Sequence, residues 1–168
     1  MADEEVIVGN DTTTDDAFSG VFPCYEGLFK VKVNDSYVDI ADLETFTLNF
    51  DNGVEEWTPY GSEGWKRRLM TAKSVTISIS GKRNVGDTGN DFIAGLAFKN
   101  GRDAEADFKI AFKNGDEVVL GSAVISVTAL EYGDSTNVAP LEFEVQSNGK
   151  PTITTADSSD DDDDNATT

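Results

Sequence analysis

The chain has 168 residues and a formal net charge of −19, from 32 acidic and 13 basic side chains, with no histidine and one cysteine. That length supports one domain with a real hydrophobic core, while the charge argues against a strong grip on nucleic acid, which needs several Lys or Arg set against phosphates. A lone Cys24 excludes an intramolecular disulfide, and without histidine the common zinc ligand sets cannot be assembled.

Residues 1–16 carry six acids and no base around a short apolar patch at residues 6–8. They read as an acidic tail that cannot offset its ordering entropy by packing. This start lacks the basic residues and apolar run of a secretory signal, and no segment approaches the roughly 20 apolar residues that cross a bilayer. No membrane partner is expected, and synthesis is expected in a reducing cytoplasm. The domain is placed at residues 17–156, where 20 acids and 13 bases leave a net charge of only −7. The tails, rather than a salt-adapted surface, therefore supply most of the excess charge.

Cys24 follows Pro23 in an apolar FPCY context and is expected as a packed thiol, since no base stands beside it. From there the dominant period is two. LFKVKV, residues 28–33, sets Phe29, Val31 and Val33 against Lys30 and Lys32. ETFTLNF, residues 44–50, sets Phe46, Leu48 and Phe50 against Thr45, Thr47 and Asn49. Residues 51–73 then lose the alternation and exceed the usual loop length, so they are expected as one long connecting arm. VTISIS, residues 75–80, resumes the pattern.

DTGNDFIAGLAFKNG is the one helical segment, with Asn90 or Asp91 as cap, Phe92, Ile93, Leu96 and Ala97 as the apolar stripe, and Gly101 closing it. ADFKIAF leads through Asn114-Gly115 into a hairpin. Residues 118–130 form either one long strand or two divided near Gly121, and PLEFEV supplies Leu141, Phe143 and Val145. Asn-Gly pairs at 52, 100, 114 and 148 are expected as turns. Residues 157–168, with five consecutive acids at 160–164, are expected as a disordered acidic tail. The order is three or four strands, a helix, then four strands. The expected fold is mainly β, a β-sandwich or partial barrel with one flanking α-helix against an open face.

No catalytic, cofactor or metal residues are expected. The acids at 160–164 lack the spacing and glycine of a calcium loop. GKRNVGDTGN lacks the Walker spacing, so Lys82 and Arg83 are expected to make polar contacts at a strand end. The arm concentrates Trp57, Tyr60, Trp65, Lys66, Arg67 and Arg68, the mixture that buried protein interfaces prefer. These six are the candidate subunit-interface residues, with Glu55 and Glu56 expected to pair with the bases across a repeated contact. The competing reading places the tryptophans in the subunit's own core.

EEWTPYGSEGWKRRLMTAKSVTISISGKRNVGDTGNDFIAGLAF, followed by GDSTNVAPLEFEVQSNGKP, resembles the tail tube (major tail) proteins of long-tailed bacteriophages over residues 20–153. The resemblance implies a β-sandwich with a flanking helix, six copies to a ring, and inner sheets joined in one β-barrel around a channel. It further implies rings stacked into a virion tail tube, made in the host cytoplasm and built around a tape measure protein. A tail terminator and a distal tail protein are implied as partners, and DNA transits the lumen without specific binding. The long arm reaches an adjacent subunit or ring in that family. Such a protein is structural and carries no catalytic residues. The alternative is a monomeric β-sandwich module binding carbohydrate or cell-surface ligands.

Overall fold

Among the described residues, period-two alternation underlies most of eight strands, four before one α-helix and four after it. The structure is a computed structural model that describes residues 18–155; the two acidic tails expected from the sequence lie outside the described residues. The strands are β1 (Leu28–Val33), β2 (Ser36–Asp39), β3 (Leu43–Trp57), β4 (Arg67–Lys82), β5 (Glu105–Ala111), β6 (Glu117–Leu130), β7 (Pro140–Gln146) and β8 (Thr152–Thr154). They form one open ladder in the order β2-β1-β5-β6-β7-β4-β3, with β8 added beside β6. The sandwich expectation thus resolves into a single antiparallel sheet with β2 and β3 as its edges. Phe29 on β1 nevertheless stacks on Phe46 on β3, at 4.5 Å between ring centroids.

The alternating apolar residues face one way and make the core. Val31, Ile77, Phe108, Leu141 and Val145 are completely buried, and Ile79, Ile125 and Phe143 nearly so. Each contributes about 1.5–3 kcal/mol relative to exposure. Residues 118–130 belong to a single strand, but Ser122 takes a φ of +46° and both Gly121 and Ser122 face solvent. The register slips between Ala106 and Phe108 on β5, where Asp107 accepts the Ser122 N–H at 2.8 Å. This bulge restores the inward phase at Ala123 and Ile125.

Helix α1 spans Thr88–Gly95 and covers the core through Ile93 and Ala94, with Leu96 just past its end. Asp87, rather than Asn90 or Asp91, is its cap; the Asp87 carboxylate accepts the Asn90 N–H at 2.8 Å and the Ala41 N–H at 3.2 Å. Gly101 does not close the helix. It has a φ of +62° and opens a separate 3-10 turn, Gly101–Ala104. Two other glycines are required by contact: a Cβ on Gly81 would meet Asp42 O at 2.3 Å, and one on Gly89 would meet Asp39 O at 2.2 Å. Those contacts let the β2–β3 connection press against both β4 and α1.

Asn90 is buried because its side chain satisfies this junction. Its Oδ1 accepts from Arg83 Nη1 at 2.9 Å and Asn84 N at 3.1 Å, and its Nδ2 donates to Lys82 O at 2.9 Å and Ala41 O at 3.2 Å. Arg83 also reaches Asp91 at 2.7 Å and Glu131 at 2.9 Å. The Arg83 hydrogen bond holds the Asp91 carboxyl below its ordinary range. GKRNVGDTGN is therefore a strand-to-helix clamp, as the polar-contact expectation for Arg83 had it. Asn90→Ala strands several buried groups, and unfolding in denaturant should show a loss of about 2–4 kcal/mol.

Cys24 departs from expectation. It is exposed, in a 3-10 turn (Cys24–Glu26) with no buried residue, because this turn precedes the first strand and has no core face. No helix among the described residues is long and apolar enough to cross a membrane.

Candidate functional site

Four adjacent strands give the sheet a second, polar face. Thr47 on β3, Ser78 on β4, Glu144 on β7 and Ser126 on β6 form one cross-strand row. Rows on either side carry Thr45, Ser80 and Glu142, and Asn49, Thr76, Gln146 and Val124. Beneath them, the opposite face of the same strands holds Leu48, Ile77, Val145 and Ile125, which pack in or against the core. The period of two thus puts hydroxyls, amides and carboxylates on one side and the core on the other. No base stands in these three rows. Lys82 lies at their margin, 3.3 Å from Glu44.

This four-strand band ends on both sides without a strand partner. β3 is an edge of the ladder. On β6, strand β5 pairs only as far as Val124, so residues 125–130 have β7 on one side and no strand among the described residues on the other. Unpaired N–H and C=O rows of this kind are templates for another chain.

Beyond the band, residues 51–57 of β3 and 67–74 of β4 pair only with each other. The segment expected as an irregular arm is a projecting β-ribbon. Asn52-Gly53 lies inside it rather than in a turn, and Gly53 packs on Ala72, where an added Cβ would sit 3.0 Å from the alanine Cβ. At the tip, Gly61 and Gly64 take φ values of +81° and +85°. Ser62 Oγ donates to Pro59 O at 2.7 Å, and the Trp65 N–H donates to Ser62 O at 2.9 Å.

All six candidate interface residues lie toward the far end of this ribbon. Trp57, Tyr60 and Trp65 are exposed, Trp65 by 78 %, and none belongs to the core. The core reading of the tryptophans is thereby removed for the isolated chain. Val54, Leu69 and Met70 are exposed on the same ribbon, and Phe50, expected on the buried face with Phe46 and Leu48, is exposed where the ribbon leaves the sheet. Sequence reading missed Val54, Leu69 and Met70, although apolar residues inside a segment without a core period were the available signal.

Two of the three bases already have an acid partner in their own chain. Glu56 binds Lys66 at 2.9 Å and also Arg68, within one chain. Those hydrogen bonds, Lys66 first, hold the Glu56 carboxyl below its ordinary range. Arg67 has no ion pair among the described residues. Nor does any group of three potential metal ligands occur among them.

A cleft of about 390 Å³ lies near the other end of β3, between residues 24–29 and residues 43–46. Its apolar lining includes Leu28, Phe29, Ile40, Leu43 and Phe46, and its carboxylates are Asp39, Asp42 and Glu44.

The family model for phage tail tube proteins matches residues 27–153. Comparison with curated proteins gives no significant match. Among solved structures, a chain in the tail of an empty gene transfer agent particle, refined helically with C6 symmetry, superposes with a TM-score of 0.64 at 18% identity, covering 80% of this chain and 99% of that one. The virion of the native gene transfer agent gives 0.62 at 19%, with the same coverage. A sheath–tube complex of an extracellular contractile injection system gives 0.58 at 15%, covering 86% and 98%. At these identities the likeness establishes the fold.

Proposed function

This chain belongs to the phage tail tube protein family, and from that premise we propose that six copies close a ring by joining the β3 edge of one subunit to residues 125–130 of the next. The protein is a structural component of a tail tube and assembles with itself. The observation that carries the ring is the four-strand band, which has an unpaired strand edge on each side and one polar face. Joining the edges satisfies both rows of backbone groups and removes the aggregation hazard of an open sheet. A closed barrel alternates inward and outward side chains, so the Thr/Ser/Glu face lines the lumen while the core stays outside it. Likeness to a tail solved with C6 symmetry supports six as the count.

Glu142 and Glu144 would then give the channel a negative lining that repels DNA phosphates, so DNA passes without specific binding. The ribbon, with Trp57, Tyr60, Trp65, Lys66, Arg67 and Arg68, contacts an adjacent copy. Rings stack in the virion tail around a tape measure protein, between a tail terminator and a distal tail protein, after synthesis in the host cytoplasm.

Hydrogen exchange tests the joined edges. On passing from soluble subunit to tube, amides within residues 43–50 and 125–130 should gain protection together. Tubes in which both segments exchange as in the free subunit would overturn this ring.

A further inference from the structure

We propose that the ribbon tip of one copy docks in the cleft beside the start of β3 on a copy in the next ring, with Tyr60 and Trp65 as anchors. This rests on the tube reading above and names the surface that receives the ribbon.

The two features lie toward opposite ends of one strand. β3 runs for 15 residues, from the cleft lining at Leu43 to the ribbon at Trp57. At roughly 3.3 Å per residue this separates them by ~50 Å. A contact between opposite ends of identical subunits is heterologous, and when it does not close on itself it propagates as a filament. Such a contact is what ring stacking requires.

The chemistry of the two ends is complementary. The tip offers exposed aromatic rings and Arg67, which has no ion pair among the described residues. The cleft offers an apolar lining and three carboxylates, with no base among its lining residues. Lys30 and Lys82 reach Asp39 and Glu44, yet those two side chains remain 69% and 55% exposed. A volume of about 390 Å³ accommodates an aromatic side chain, and apolar pockets that exclude water are where aromatic anchors have their largest effect.

Cys24 lines the cleft, is exposed, and is the only thiol in the chain, so it reports on the contact. Thr58→Cys, and separately Glu63→Cys, exposed beside the anchors and leaving both rings in place, is assembled into tubes and oxidised mildly with diamide. A disulfide forms only where the two Cα atoms come within roughly 7 Å. Each subunit then carries one donor and one acceptor thiol, so head-to-tail docking gives covalent chains of many subunits on a non-reducing gel. Adding Cys24→Ser should abolish those chains and leave at most pairs. Tubes of normal appearance in which neither new thiol links to Cys24 would overturn the cleft as receptor while leaving the tube reading intact. Failure of the wild-type protein to form tubes would remove both.

Discussion

Replacing Arg67 with Glu should yield a subunit that unfolds at the wild-type temperature and builds few or no tubes. Arg67 lies on the ribbon, away from the core, so its replacement removes no buried contact. Exposed changes of this kind usually alter stability by no more than about 0.5 kcal/mol. Across an interface, however, acid set against acid costs several kcal/mol, and symmetry repeats the cost at every equivalent contact. Arg68→Glu is a less clean probe because Arg68 binds Glu56 in its own chain, so the change also repels within the ribbon. Trp65→Ala tests the apolar part, and loss of such an anchor costs about 2 kcal/mol or more per contact. Calorimetry and sedimentation of each variant separate the outcomes. Normal tubes from both Arg67→Glu and Trp65→Ala would take the ribbon out of assembly.

Glu142→Lys combined with Glu144→Lys should convert a surface that repels DNA into one that holds it. Both residues sit on the polar face of β7, in rows that contain no base. Their replacement leaves Leu141, Phe143 and Val145 in the core untouched. Tubes should still form, because the backbone edges are unchanged. DNA retention on those tubes should rise and should fall steeply with salt, with a slope of about −0.9 in log affinity per phosphate neutralised. Phage carrying the variant should eject DNA slowly or incompletely. Equal DNA retention by wild-type and variant tubes would place this face away from the channel.

The parts of the fold that were legible share a local cause. β5 and β7 bury alternate residues, β1 turns Phe29, Val31 and Val33 toward the core, and Asn114-Gly115 supplies its turn within a few positions, with Gly115 at a φ of +86°. β2 and β8 were not legible. The first has only Val38 turned toward the core and the second is fully exposed, so neither leaves a hydrophobic period. The ribbon was hidden for the same reason: its strands pair with each other and have no core face to impose alternation.

At the candidate site, residue type marked the aromatic and basic residues as interface material. Their partners were another matter. Whether Lys66 and Arg68 meet Glu56 or a neighbouring copy depends on the register of two strands joined through residues 58–66, and no short sequence pattern specifies that register. The helix cap moved to Asp87 because Asn90 is taken up whole by the buried junction, a tertiary demand invisible along the chain.

End-on electron microscopy of the purified protein, taken to concentrations that permit tail assembly, tests the central claim most directly. Expected are hollow rings with six-fold symmetry, and in side view stacks of them with a continuous channel. A protein that stays monomeric under these conditions and is also absent from virions, or one that forms filaments with no lumen, would contradict it.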